Sequence, residues 1–377
     1  MTGFGHTVFF YKTGDYSLRR FASVLVRLNL LSAVLPYVMR TDYLFYYFAP
    51  LVTFWFVVIY VTMRIGRSRN HSTVFLMSKI SLSAIMVTAL TIIPGVLEGI
   101  FLILQHTCNV HWNVVEWRFR VFLDMFIVYV GMLAGVFYVR ISDSLHKGTT
   151  DYEIFDIVTK HLCLIRAVFV VASLVIPPTF WALTRRSPDK YDYNWWQPYI
   201  SPLPVLSYMI LRNSHRHFRN YYSSIFAWLG RCSLETFTLQ YHIWLAGDTK
   251  GLLRLGVFGR DGTGGRLADF IILTPIFLWV SWHTANATNT LTKWIIDPKE
   301  GKRDVDSENT ELNGLLSSSR LKSEGLLAHP SSKKVGRKGM PSFVGRLMAL
   351  VKDDLRIRLA LIWGILWILN WVCISTP

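Results

Sequence analysis

The chain has 377 residues, of which 52% are apolar, 15% are aromatic and only 17% are charged. Average soluble domains carry roughly 25% charged residues, and they have no surface on which to expose this much apolar and aromatic area. The composition excludes a disordered, collagen-like or disulfide-scaffold protein, and it disfavours a soluble globular enzyme. The remaining class is a polytopic membrane protein.

Basic residues outnumber acidic ones, 40 against 24, which gives a formal net charge of +16. A basic excess can indicate nucleic-acid binding. Here the cations lie in short loops between apolar runs, a pattern typical of membrane topology and of contact with anionic lipid headgroups. We therefore expect a lipid bilayer and no nucleic acid as partner. The cysteines lack CxxC or CxxH spacing, so no metal site is predicted.

About nine apolar segments approach the roughly 20 residues that a bilayer-spanning helix needs. In chain order they are Phe21–Met39, Tyr43–Met63, Ile80–Leu104, Val121–Val139, Leu162–Leu183, Gln197–Leu211, Tyr221–Ala246, Leu267–Trp282 and Leu355–Cys373. The third is long enough for a re-entrant break at Pro94–Gly95, and the sixth is short and proline-containing. We expect an all-α polytopic membrane bundle of about nine transmembrane helices, within a range of roughly eight to eleven.

Lys and Arg are more numerous on one side of these spans, the side of the N-terminus and of a long polar segment. The positive-inside rule places that side in the cytosol. The polar segment, residues 297–345, is rich in Ser, Lys and Gly, which predicts a flexible cytosolic loop. The sequence thus divides into a membrane core at 1–296, this loop, and a C-terminal helix within 346–377.

Ionisable residues inside membrane spans are costly, so each is a functional candidate. The richest run is GRCSLETFTLQYHIWL, residues 230–245. On one continuous α-helix, Arg231, Glu235, Thr238 and His242 would form a single stripe. Arg231 and Glu235 could pair, and His242 would lie two turns from Glu235. A structural polar seam between helices is the alternative interpretation of this stripe.

Three further charged residues are expected on the same membrane face as His242. Glu98 follows Pro94 and Gly95, where a broken helix could form a cavity and a carboxylate could orient a histidine or take a proton. Arg120 and Asp124 are an i,i+4 pair at the start of the fourth span. The alternatives are an ordinary pairing of Glu98 with a neighbouring Arg, and a simple helix-end ion pair for the other two.

Arginines on the cytosolic side suit a phosphorylated carrier. Arg212, Arg216 and Arg219 form a basic stripe, and Arg27 lies inside the first span. Guanidinium groups bind phosphate bidentately, so these residues fit a phosphorylated carrier such as coenzyme A. Topology determinants that extend towards headgroups are the alternative. On the opposite side, the run YDYNWWQPY, residues 191–199, could stack on sugar rings or form an interfacial aromatic belt.

Nine stretches of the chain carry a family resemblance in the expected order. They are MTGFGH, TGDYSL with Asp15, RLN (27–29), DYLFYYFAP (42–50), IPGVLE (93–98), EWRFRVFLD (116–124), LRNS (211–214), FAWLGRCSLETFTLQYHIWL (226–245) and TNTL (288–291). Together they resemble the multi-span membrane acyltransferase domain of eukaryotic glycan O-acetyltransferases. That group includes fungal capsule-polysaccharide, plant wall-acetylation and animal sialate O-acetyltransferases.

The resemblance implies a cytosolic acetyl-CoA donor, a polysaccharide or glycan hydroxyl as acceptor in the Golgi lumen, and a multi-pass protein of the Golgi membrane. The expected roles are catalytic for His242, Glu235 and Glu98, donor-binding for Arg27, Arg212 and Arg219, and supporting for Arg231, Arg120, Asp124 and Asp15. No metal is expected.

Many members carry a lumenal SGNH-type domain before the spans, with a GDS block and a DxxH pair. This sequence has neither, so we expect a membrane-only form or a truncated gene product.

Two mechanisms and one rival class follow from these observations. His242 could assist acetyl transfer within the membrane, with or without an acyl-enzyme intermediate. Alternatively, the domain could relay acetyl groups to an SGNH-type partner subunit that bears Ser-His-Asp chemistry. The rival class is a secondary transporter of a nucleotide sugar or metabolite, which would leave acetyl-CoA intact.

Overall fold

A computed structural model gives the fold and describes residues 2–41, 43–147, 162–247, 251–256, 263–297 and 354–373. Over these ranges the regular secondary structure is helical, and one isolated antiparallel bridge joins Leu245 to Leu252. The predicted all-α membrane class is confirmed. The predicted loop at 297–345 lies outside the described residues, apart from its first residue.

Fourteen α-helices lie in the described ranges, and we number them in chain order. They are α1 Thr2–Thr13, α2 Leu18–Met39, α3 Phe48–Arg64, α4 Thr73–Ile92, α5 Val96–Cys108, α6 Val114–Lys147, α7 Leu162–Thr184, α8 Lys190–Ile200, α9 Pro202–Ser214, α10 Arg216–Asn220, α11 Ser224–Arg231, α12 Ser233–Leu239, α13 Thr263–Ile296 and α14 Leu355–Cys373. Short 3₁₀ turns occupy Tyr43–Tyr46 and Arg67–Arg69, and a π-helix occupies Gln240–Trp244.

Among these helices, six are long and apolar enough to cross a membrane, namely α2, α4, α6, α7, α13 and α14. Each overlaps a predicted span. The predicted second span overlaps the shorter helix α3, which has 17 residues. The sixth predicted span is divided between α8 and α9 because Pro202, which has no N–H to donate, starts a new helix. The seventh is divided among α11, α12 and the π-helix.

The predicted break at Pro94–Gly95 is confirmed. Helix α4 ends at Ile92, and Ile93 is extended, as expected for a residue before proline. Gly95 adopts φ 87°, a left-handed conformation that favours glycine, and it precedes the first residue of α5. The third predicted span is therefore two helices rather than one.

The chain forms two compact units. The first comprises Met1–Tyr16 and Asp42–Ser233, and in it α1 packs against α3 and α6. The contact between α1 and α6 is so close that a Cβ atom on Gly3 would lie 2.1 Å from the backbone oxygen of Val128. Helix packing therefore requires glycine at position 3, as in other close helix contacts of membrane proteins.

The second unit comprises Ser17–Thr41 and the described residues from Leu234 onward. Helices α2 and α13 run antiparallel in it, because Arg19 pairs with Asp297 while Arg27 contacts Asn289. Helix α14 joins them through the hydrogen bond from Tyr37 to Asn370, 2.7 Å. The buried residues of α13 recur every three or four positions along its length, which is one helical face.

Candidate functional site

A buried carboxylate is the centre of the candidate site in the second unit. Glu235 lies in the first turn of α12 and its side chain is 0% exposed. Arg27 Nη1 of α2 is 2.6 Å from Glu235 Oε1, and the hydroxyl of Thr288 on α13 donates to the same oxygen at 2.9 Å. Arg27 Nε also donates to the side-chain oxygen of Asn289. We call Arg27, Glu235, Thr288 and Asn289 the Glu235 cluster.

Charge explains why these residues assemble. A buried carboxylate is tolerated when an opposite charge and hydrogen-bond donors compensate its lost hydration. Arg27 supplies that charge and is itself only 22% exposed. Glu235 also lies at a helix N-terminus, where the helix dipole favours an anion. Its second oxygen, Oε2, is buried and has no hydrogen-bond partner among the described protein groups.

The predicted stripe from Arg231 to His242 requires one continuous α-helix, and that prediction is wrong. Helix α11 ends at Arg231, and Cys232 leaves the helical region with φ −112° and ψ 18°. Arg231 is exposed at this helix end. The ion-pair partner of Glu235 is Arg27, a residue that the sequence analysis had assigned to phosphate binding.

His242 lies in the π-helix Gln240–Trp244 and is partly buried. A backbone bond from Leu245 to Gln240, 2.8 Å, closes this wide turn. A π-helix turns less per residue than an α-helix, so the α-helical spacing on which the predicted stripe depends does not extend to His242. Single π-helical turns are rare and frequently occur at functional sites.

Two contacts hold the π-helix region against α13. Trp244 donates through its indole N–H to Thr274 Oγ1 at 3.1 Å, and its ring stacks on Phe277 with a centroid separation of 5.9 Å. Beyond the Leu245–Leu252 bridge, Arg254 Nε is 2.9 Å from Oδ2 of the buried Asp269. The segment that carries His242 is therefore anchored on its C-terminal side.

Glu98 belongs to the first unit, where it lies in the first turn of α5. Its Oε2 accepts the backbone N–H of Gly95 at 2.8 Å, and its Oε1 is 2.5 Å from Arg118 Nη2. Both oxygens thus have partners at the start of α5, which matches the alternative of an ordinary pair with a neighbouring Arg. The predicted approach of Glu98 to His242 stays a prediction.

The pairing predicted for Arg120 and Asp124 differs from the observed one. Arg120 Nε is 3.4 Å from Glu116 Oε2, one turn earlier on α6, and its guanidinium lies 3.7 Å from the ring centroid of Tyr47. The Tyr47 ring is thus a cation–π partner of this guanidinium. Asp124 lies one turn further along the same helix.

The remaining predicted residues lie near helix ends of the first unit. Arg212 is partly buried in the last turn of α9, and Arg219 is exposed on α10. Asp15 lies between α1 and α2, and its backbone N–H donates to Thr13 Oγ1 at 3.3 Å. Across the described ranges, no group of His, Cys, Asp and Glu side chains could hold a metal ion.

The sequence analysis missed the contributions of α13. Thr288 and Asn289 fall in the TNTL stretch, which had no assigned role, and Thr274 and Asp269 had no signal of their own. The available signal was the spacing of small and polar residues along α13, since Asp269, Ser281 and Thr288 all lie on its buried face.

Comparisons with known proteins agree with the resemblance described above. Residues 1–307 match a family described as the 10 TM acyl transferase domain found in Cas1p. The N-acetylneuraminate (7)9-O-acetyltransferase of Danio rerio is 36% identical over 311 residues, which cover 79% of this chain and 38% of that relative. The chain thus spans less than half the length of this curated relative. No solved structure matches the chain.

The family match includes the Glu235 cluster, the π-helix with His242 and each of the other predicted site residues. The match covers most of the chain. Its description as a domain with ten transmembrane segments agrees with the long apolar helices of the structure. The chain belongs to the family of the ten-span membrane acyl transferase domain found in Cas1p.

Proposed function

We propose that the chain is a membrane-bound O-acetyltransferase of the Golgi, which transfers acetyl groups from cytosolic acetyl-CoA to hydroxyls of a lumenal polysaccharide or glycan. Support comes from the family, from a relative named for O-acetylation of N-acetylneuraminate, and from the second unit. The observation that carries the proposal is the buried Arg27–Glu235 pair, which begins the same short segment that carries His242.

In the proposed reaction, His242 accepts the proton of an acceptor hydroxyl as the hydroxyl oxygen attacks the thioester carbonyl carbon. The carbon–sulfur bond breaks, an ester forms, and the coenzyme A thiolate leaves and is protonated. Histidine suits this role because its ordinary pKa, about 6.5, allows it to gain and lose a proton near neutral pH. A positioned general base typically accelerates such a step by about 10² to 10⁴.

Glu235 and Arg27 hold the start of the His242 segment in one orientation. The carboxylate has one oxygen occupied by Arg27 and Thr288, so its charge is compensated while Oε2 remains available as an acceptor. Glu98 remains a proposed member of the catalytic group, with Arg118 and Gly95 fixing its carboxylate.

Donor binding is assigned to arginines. Arg212 and Arg219 carry the charge that coenzyme A phosphates require, and Arg219 is exposed while Arg212 is partly exposed. Arg27 already donates through Nη1 and Nε to Glu235 and Asn289, which leaves its remaining N–H groups for a phosphate. We therefore assign Arg27 mainly to the Glu235 cluster and the other two to the donor.

The test uses the whole chain, purified and reconstituted in lipid vesicles, with acetyl-labelled acetyl-CoA and a glycan that bears N-acetylneuraminate. We expect release of free thiol together with labelled acetyl ester on the sugar, and neither product with a His242→Ala variant. Thiol release that depends on adding an SGNH-type subunit would indicate the relay mechanism. Intact acetyl-CoA together with uptake of a nucleotide sugar would contradict the proposal in favour of a transporter.

A further inference from the structure

A small cavity lies in the first unit, between the end of α7 and helix α8. Its volume is about 260 Å³, and it is lined by Leu183, Arg186, Ser187, Asp192, Trp196 and Ile200. Pockets for small ligands start at about 300 Å³, so this one suits a compact group such as a single sugar ring. The charge pattern of the sequence places this loop on the side opposite the cytosol.

The aromatic wall of the cavity has a fixed orientation. The indole N–H of Trp196 donates to Ser187 Oγ at 3.0 Å. Phe180 and Tyr193 meet the Trp196 ring edge to face, with centroid separations of 5.7 and 5.3 Å. An aromatic ring held in this way can lie against the C–H groups of a sugar without losing side-chain freedom on binding.

The two charged groups of the cavity are available to a ligand. Arg186 and Asp192 are both exposed, and among the described contacts neither side chain has an ion-pair partner. Asp192 uses its backbone N–H, not its carboxylate, to bind the helix-capping residue Asp189. Two opposite charges thus line one cavity without neutralising each other.

The aromatic residues of helix α8 lie on two different faces, one exposed and one lining the cavity. Tyr199 is 53% exposed and packs on Phe122 and Phe126 of α6. Tyr191 and Trp195, one turn apart on α8, are 82% and 77% exposed and form one outward face. This face is typical of an interfacial belt. Trp196 lies on a different face and lines the cavity, so the two tryptophans next to each other in the sequence have different surroundings.

We propose that this cavity binds an acidic sugar of the acceptor glycan. Arg186 would bind the sugar carboxylate through two parallel N–H bonds, Asp192 would accept hydrogen bonds from sugar hydroxyls, and Trp196 would pack against the ring. The identification of the sugar as part of an acceptor rests on the proposed function, whereas the site itself rests on the cavity and its charges.

The test measures binding of the methyl glycoside of N-acetylneuraminate to the full-length protein in detergent by saturation-transfer NMR, without acetyl-CoA. Arg186→Gln should weaken binding by about tenfold or more, the loss expected for one hydrogen bond to a charged group. Arg185→Gln is the matched control, because Arg185 stacks on Trp181 and does not line the cavity. Its affinity should stay within about twofold of the wild type.

Three further comparisons test the roles of the individual groups. Trp196→Phe should weaken binding while Trp195→Phe should not, and the methyl ester of the sugar should bind weakly and be insensitive to Arg186→Gln. Arg186→Lys, which keeps the charge but not the paired N–H groups, should give an intermediate affinity. Equal binding by the Arg186→Gln and Arg185→Gln proteins would overturn the site, as would a binding defect in Trp195→Phe that Trp196→Phe does not show.

Acetyl transfer separates this proposal from the proposed function. Arg186→Gln should raise the KM for the acceptor with kcat and the KM for acetyl-CoA unchanged. Transfer with an unchanged acceptor KM would remove the sugar site and leave the function intact. Absence of any transfer, with binding still dependent on Arg186, would contradict the function and support the site.

Discussion

Arg27 and Glu235 are 208 positions apart in the sequence, and their side chains form an ion pair of 2.6 Å at a carboxylate that has no exposed surface. A charge in that position is stable only with its partner, because the lost hydration of a carboxylate is compensated by a nearby cation and by hydrogen bonds. The pair therefore couples α2 to α12 within the second unit.

The first prediction concerns stability. Arg27→Ala should lower the free energy of unfolding by about 3–5 kcal/mol because it leaves the Glu235 charge buried and unpaired. Thermal unfolding of the purified protein in detergent measures this loss. The double variant Arg27→Met with Glu235→Leu should recover most of it, since it removes both charges. A control is Arg19→Ala at the exposed pair with Asp297, which should cost no more than about 1 kcal/mol.

The second prediction concerns His242. His242→Ala should reduce glycan O-acetylation by about 10² to 10⁴, because it removes a general base. The protein should still insert and accumulate, because the contacts of Trp244 and Arg254 with α13 are kept. Glu235→Gln should be nearly as damaging. The acetyl content of product glycans and the protein level are measured together. Normal acetylation in His242→Gln, which keeps a hydrogen bond, would leave a structural polar seam as the explanation.

The third prediction concerns the donor. Arg219→Ala and Arg212→Ala should each raise the KM for acetyl-CoA more than they lower kcat, because phosphate contacts act on binding of the substrate and the transition state alike. Steady-state kinetics at varied acetyl-CoA concentration measures both constants. Arg185→Ala, an exposed arginine near α8, serves as the comparison. Unchanged donor KM in both variants contradicts the assignment of these arginines to phosphate.

The fourth prediction concerns the anchor of the π-helix. Trp244→Phe and Thr274→Val each remove one partner of the indole hydrogen bond, and the double variant should lose less than the sum of the two. The coupling expected for such a bond is about 1 kcal/mol. We expect the loss to fall on kcat, since Trp244 lies two residues after His242. Fully additive effects on kcat would show that this hydrogen bond does not position the segment.

The sequence was sufficient for those features that depend on neighbouring residues. The apolar length of α2, α6 and α13 predicts membrane spans, because every backbone group must be satisfied within the segment in a lipid environment. The break at Pro94–Gly95 was equally predictable, since proline removes a donor and glycine permits a positive φ. Glu235 and His242 were chosen as candidates because charged and polar groups inside apolar runs are rare.

Only the tertiary structure shows which charged side chains form ion pairs with each other. Glu235 pairs with Arg27 and not with Arg231, which is only four positions away in the sequence. Arg120 pairs with Glu116 and not with Asp124. Local spacing allowed both of the rejected pairs. For Glu235 the choice follows from packing, because α2 and α13 supply Arg27 and Thr288 to its buried carboxylate. Arg120 pairs within its own helix, and its guanidinium also lies over the ring of Tyr47. The sequence determined which residues could carry charge into the membrane, and burial against distant segments determined where the charge of Glu235 is compensated.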